Sequence, residues 1–600
     1  MVGKMKKKTI ILWVGLCIYL SACVYLSIPP SCDKKDTQTP KETASEVKEA
    51  EKEVDLDEIV ESYFANRPVR DVPQDADLTA FLVGTYAKSH RDFKTTANSF
   101  AKVLKTDAEN KEIKGSLYLY FVLGGQVEQS VPYAYQALDE NAADFLPLLV
   151  VLTDQIHQGM FDESLKNVEK MDGSYKLLLK PLLKSWIYVG LNEKKKALSA
   201  LDVLKDEKNL QAAYFLHRAL IFDYFGDVKN AAESYGSLMK TKESQSVRVL
   251  LLLKDFENRT HALTDKKALA FSYAQLQEES FVSKEMMTSP GDGGQVKTPA
   301  QGISWVFFDM GSAMAQAKNY DLSLFFANLA LYLNPQSSIT QLFMGEIMEE
   351  MELLEQANEL YASIKPNQNI FLSVKIRTVM NYIKMKDYDL AIETLQQMTK
   401  AYPKAALFHM TLGDAYREKG EYEKALKSYR NAEQLVLNRN DRQVAPVYFY
   451  QGFCMDELGN KEEALALFEK ALSFDSENPV YLNYVGYMRL EQHKDVQEAL
   501  PLFQKAVERA PKDGNILDSL GWAYYLLGDY EKSLPILEEA VTLQAGNAVL
   551  NSHLGDLYWK MGRFREARFQ WSHATGLTES QTPELLAELN KKIENGLAND

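Results

Sequence analysis

Cysteine and histidine are scarce in this 600-residue chain. Its four cysteines, Cys17, Cys23, Cys32 and Cys454, follow no metal-ligand spacing and give no disulfide framework. Cys454 falls inside a helical pattern, where a cysteine acts as a small packing residue. The eight histidines are scattered; His553 and His573 come nearest to pairing, in the two helices of one unit. There is no GxSxG, no HExxH and no GxxxxGK[ST], so hydrolase, metalloprotease and P-loop chemistry lack their signatures. Basic residues are outnumbered 68 to 83, for a net charge of −15, and no basic stripe for phosphate is present. Paired acids such as Glu349-Glu350 and Glu462-Glu463 read as solvated helix faces. The composition implies no enzyme, no metal, no cofactor and no nucleic-acid partner.

Helical repetition is abundant. Ile516–Ala540 reads as two amphipathic helices around a turn, with Gly528 closing the first and Asp529-Tyr530 opening the second. Gly521, Ser533 and Ala540 are small where the helices must touch. The first of these small positions recurs at Gly311, Gly345, Val379, Gly413, Gly452, Gly486, Gly521 and Gly555, at spacings of 34, 34, 34, 39, 34, 35 and 34. Twelve residues on stand Ser323, Ala357, Ala391, Ala425, Ala464, Ser533 and Ala567, with Ala499 displaced by one. A weaker series holds the phase earlier, at Gly84, Tyr118, Leu152, Ser185 and Ala219. A further unit near Leu250–Gln277 is irregular. This period resembles that of the tetratricopeptide repeat (TPR). It predicts an all-α TPR superhelical solenoid of about 13–14 helix–turn–helix repeats, each burying its apolar face on its neighbours.

The flanks carry other signals. Lys4, Lys6, Lys7 and Lys8 precede the apolar run Ile10–Leu20, the layout of a secretory signal. Leu20-Ser21-Ala22-Cys23 resembles a bacterial lipobox, which implies cleavage after residue 22 and lipidation of Cys23. The alternative is an uncleaved membrane anchor, since the apolar stretch continues to Ile28 and reaches spanning length. Residues 23–76 are polar and acidic and read as a disordered tether. Residues 77–279 form an N-terminal array and 303–577 a C-terminal array of eight repeats. Between them, 280–302 holds Pro290-Gly291, Gly293-Gly294 and Pro299, the composition of a loop or hinge. Thr582-Pro583 and Gly596 bracket a C-terminal capping helix within 578–600.

In such an array first helices line the concave face, so Tyr487, Leu490, Trp522, Tyr525, Asp556 and Trp559 are the expected partner-binding residues. Aromatic side chains bury much area at little entropic cost, which suits them to that role. Glu346, Asp414, Asp456 and Asp556 on the same face favour a basic partner.

Tyr481–Trp571, with YLNYVGY, NILDSLGWAYYLLGDYEKSLPILEEAV and NSHLGDLYWKMGRFREARFQW, resembles a family of long proteobacterial TPR envelope lipoproteins. The likeness extends more loosely to FLVGTYAKSHRDFKTTANSFAKVL and to ISWVFFDMGSAMAQAKNYDLSLFFANLALYLNP. It implies an outer-membrane lipoprotein facing the periplasm, an adaptor binding a periplasmic carboxyl-terminal processing protease and presenting cell-wall hydrolases to it. The alternative is an assembly factor for an outer-membrane complex of the pilus secretin or polysaccharide exporter type.

Overall fold

The 34-residue period becomes a succession of antiparallel helix pairs. The computed structural model describes residues 77–597, apart from 142–143, 172–176, 208, 242–246, 264–268, 270–293, 366–370, 437–443, 494–495 and 578–581. Cys23, the signal or anchor segment, the tether and most of the 280–302 loop lie outside the described residues. Among the described residues there are 28 α-helices and no strand. None of these helices is long and apolar enough to cross a membrane.

Local chemistry sets the turn within each pair. Seven residues after the small position the backbone enters the left-handed region, at Gly125, Gly226, Gly420, Gly459, Gly528 and Gly562. Glycine is the residue that tolerates this without strain. Arg91, Asn192, Lys318, Glu352 and Lys386 hold the same conformation where glycine is missing. The next residue caps the second helix: Asp92, Asp227, Asn319, Asp387 and Asp529 each accept from a backbone N–H of the first turn.

The small position itself answers to a large one sixteen residues on, seventeen in the pair Gly486 and Phe503. A methyl group added at Gly452 would lie 2.9 Å from the Phe468 ring, and at Gly486 2.8 Å from Phe503. Tyr361, Tyr429 and Trp571 stand over Gly345, Gly413 and Gly555 in the same way. Where the small position is instead filled by Tyr118 or Leu152, the later position shrinks to Ala134 or Val168, all four buried. Volume is exchanged within the pair, which keeps the helix contact close-packed.

The chain divides into two compact units, residues 1–378 and 379–600, and the division falls inside helix Phe371–Lys384. The sequence places the break between arrays at 280–302 instead. Packing explains the difference. Helix Pro299–Gln316 lies against Leu179–Gly190, and helix Tyr320–Leu333 lies against Lys111–Leu123, Val127–Glu140 and Phe145–His157. Asn328 Nδ2 reaches the Leu123 carbonyl at 3.4 Å, and the Tyr332 hydroxyl donates to Asp154 at 3.2 Å. From Leu322 to Ala330 every residue is buried. A helix apolar on all faces must be enclosed, and this one is enclosed by the repeats of the first unit. The pair also starts earlier than the loop reading implies: Thr298 caps Gln301, and Pro299 takes the first helical position.

In the second unit, after helix Tyr388–Ala401, five successive pairs run from Ala406 to Thr575, followed by the single helix Pro583–Asn595. Thr582 caps that helix, and Leu589 is fully buried against the last repeat.

Candidate partner-binding face

First helices of the second unit carry the aromatic positions, and their surroundings differ. Tyr487 is 51% exposed on helix Pro479–His493. Leu490, on the same helix, is partly buried against Ala499 and its neighbours. Trp522 is half-buried on helix Gly514–Leu526, and its ring stacks on Tyr525 at 4.5 Å and on His553 at 4.0 Å. His553 is held in turn by Asp518, 2.8 Å from its Nδ1. The structure therefore brings Trp522 and Tyr525 together as one stack, fixed by an ion pair behind it. A ring whose rotamer is already set loses little entropy on binding.

Trp559 and Asp556 are turned to other partners. Trp559 packs on Phe564 at 4.6 Å and Trp571 at 5.5 Å, with Gly596 pressed against its ring. Asp556, expected on the open face, is only 5% exposed. It accepts from Trp571 Nε1 at 2.9 Å and from Lys592 Nζ at 2.8 Å. The described element after the last repeat is the helix Pro583–Asn595, which supplies the cover and the cation. Burial pushes the Asp556 carboxyl above the usual range, while Lys592, His553 and Trp571 pull it back.

The row of acids is likewise engaged within the chain. Asp414 accepts from the Tyr429 hydroxyl at 2.7 Å, and Asp456 pairs with Lys461 at 2.7 Å. Glu346 pairs with Arg377. Glu349, read from the sequence as solvated, is mostly buried; it accepts from the Tyr361 hydroxyl at 3.0 Å and pairs with Arg377 at 2.7 Å. Cations two residues before the small position of one repeat reach acids of the preceding repeat, as Arg377 and His553 do. A basic partner would thus meet carboxylates already engaged.

Sequence reasoning missed the aromatics at that same position. Tyr450 stacks on Tyr429 at 5.6 Å, and Tyr484 stands edge-on to Phe449 at 4.9 Å. The Arg417 guanidinium lies 5.2 Å from the Tyr450 ring and 5.6 Å from Phe453. The 34-residue period that marks Tyr487 and Trp522 marks these positions too, once the column three residues earlier is read. His553 and His573 do not meet: His553 turns to Asp518 and Trp522, and His573 stacks on Phe569. Among the described residues no group of three or more His, Cys, Asp or Glu side chains could hold a metal.

These helix pairs, their left-handed turns and their interlocked small and large positions define an array of tetratricopeptide-type repeats, and repeats of this kind indicate a scaffold for protein–protein interaction. Tetratricopeptide repeat models match residues 377–405, 403–477, 455–514 and 488–548. The TPR repeat-containing protein PA4667 of Pseudomonas aeruginosa is 27% identical over 225 residues, which are 36% of this chain and 35% of that protein. The TPR repeat-containing protein YpiA of Bacillus subtilis is 29% identical over 160 residues, 27% of this chain and 32% of that one. The chain spans about a third to a half of the length of the first curated relatives it matches. Among solved structures, the APC/C hetero-tetramer Cut9–Hcn1 aligns over 87% of this chain and 96% of that one, at 14% identity and a TM-score of 0.38.

Proposed function

We propose that this protein is a non-catalytic scaffold of the bacterial cell envelope, tethered at its N-terminus and facing the periplasm from the outer membrane. Its second unit would take a periplasmic carboxyl-terminal processing protease, and the assembly would bring cell-wall hydrolases to that protease. The observation that supports binding is the first-helix face on which Tyr487 reaches solvent and Trp522 and Tyr525 form a pre-set stack. The Cys23 lipobox and the acidic tether supply the membrane attachment in this reading. The mechanism is effective concentration: two partners on one body meet as an intramolecular event, without any catalytic group from the scaffold.

The test is crosslinking of the full chain in its envelope followed by detergent extraction and identification of what is bound. Recovery of a processing protease with cell-wall hydrolases, lost in Tyr487→Ala and Trp522→Ala, supports the adaptor. Secretin or exporter subunits in their place would make the protein an assembly factor. For the tether, Cys23→Ala should leave an unprocessed precursor; normal processing and membrane retention would refute lipidation.

A further inference from the structure

We propose that a cleft in the first unit, between helices Val127–Glu140, Phe145–His157 and Tyr320–Leu333, binds the guanidinium of an arginine side chain on a partner polypeptide. The cleft holds about 360 Å³, roomier than a guanidinium head, and has no lysine or arginine in its lining.

Three observations converge there. Asp154 lines the cleft and is nine-tenths buried, yet its hydrogen-bond partners are neutral: the Tyr332 hydroxyl at 3.2 Å and Gln158 Nε2 at 2.8 Å. Asp223, Asp518 and Asp556 are buried as deeply and each carries a cation, Arg259 at 2.7 Å, His553 at 2.8 Å and Lys592 at 2.8 Å respectively. A buried carboxylate is costly without a counter-charge, so the site retains attraction for one. Next, Pro132 sits inside its helix and has no N–H to offer the Glu128 carbonyl four residues back. Glu128 also brings an exposed carboxylate to the same wall, so acceptors face the cleft from two helices. Finally, the His157 and Tyr332 rings lie 4.4 Å apart at 32° and give a flat aromatic side. A planar cation with forked donors pairs with two acceptors and stacks flat on an aromatic face at once; a compact ammonium is drawn to both but offers neither the fork nor the flat face. Burial, then Asp154 and Glu128, push the Tyr332 phenol up to about 12, in keeping with a negative interior. The site exists only because helix Tyr320–Leu333 packs back on repeats 178 residues earlier.

This cleft lies in a different unit from the aromatic stack on the second unit, so either can fail without the other. The test is calorimetric titration of the full chain in detergent with N-acetyl-arginine amide, N-acetyl-lysine amide and the neutral isostere N-acetyl-citrulline amide. The arginine compound should bind saturably, at least tenfold more tightly than citrulline, and Asp154→Asn should lose at least tenfold. Glu128→Gln, at an exposed side chain, should lose severalfold and decides the matter if Asp154→Asn does not fold. Equal binding of citrulline, or unchanged binding in Glu128→Gln and a folded Asp154→Asn, would overturn the site. Tighter binding of the lysine compound would overturn the choice of arginine.

Discussion

Replacing Lys592 by Met should undock the C-terminal helix while leaving the earlier repeats folded. Lys592 is 8% exposed, and its ammonium donates to Ser552 Oγ at 3.1 Å and Asp556 at 2.8 Å, with Glu588 2.7 Å away. Met has similar length and fills the same space without the charge. Asp556 would then stay buried with the Trp571 N–H but without its cation. Breaking a buried pair on one side costs about 3–5 kcal/mol, because the remaining charge is uncompensated. We take the single terminal helix, held by Leu589 and its neighbours, to dock with less free energy than that. The loss is therefore met by release of the helix, which lets water reach Asp556. Hydrogen exchange should accelerate across 583–595 and stay unchanged in 445–474. In the double variant with Asp556→Asn the uncompensated charge is gone, and exchange should return most of the way. The pH dependence has a definite sign. A carboxyl whose folded value is raised favours the folded form below its unfolded value, near 4, and that advantage is lost as pH rises through the folded value. The deficit of Lys592→Met should thus shrink as pH falls toward about 4. Unchanged exchange at pH 7, or a double variant no better than the single, would refute the reasoning.

Gly115 faces open space within its helix, so Gly115→Ala should stabilise by about 0.5–1 kcal/mol in urea unfolding. Gly345→Ala should destabilise by about 1–3 kcal/mol, because the Tyr361 ring above it is pinned to Glu349. Burial lowers the His553 value, but Asp518, by charge and hydrogen bond, outweighs it and holds the ring above its ordinary 6.5. NMR titration should place the His553 midpoint above 6.5 and Asp518→Asn should lower it; the pair's stabilisation is full below 6.5 and lost as pH rises through the folded value. Burial pushes the Cys454 thiol up to about 12, so with the other three cysteines changed to serine the folded protein should not react with a thiol reagent at pH 8, and should react in denaturant.

The repeat phase was legible because two requirements, a small residue at the helix contact and a left-handed turn, each favour glycine. Lys318, Glu352 and Lys386 hid the turn where the surrounding packing imposes the conformation on other residues. Trp522 and Tyr525 were singled out because they follow the period; the stacking of Trp522 on His553 was not, since His553 belongs to the next repeat. Glu349 read as solvated and Asp556 as open to a partner because their own partners lie about one period away, 28 residues for Glu349 and Arg377 and 36 for Asp556 and Lys592. Tyr332 and Asp154 stand outside any period. The one mark of their meeting is LSLFFANLALYL, apolar on every face and so unsuited to a repeat with a wet side.

That return of helix Tyr320–Leu333 alters how the first unit can be made. A repeat stack ordinarily grows as each pair lands on the one before, so order follows synthesis from the first residue. Here the carbonyl of Leu123 waits for a side chain 205 positions later. The repeats from Lys111 to Gly190 cannot bury their inner surface until the chain has emerged past Leu333. Closing so long a loop is slow, and the apolar surface stays open meanwhile. That interval is when a chaperone is needed and a protease is dangerous.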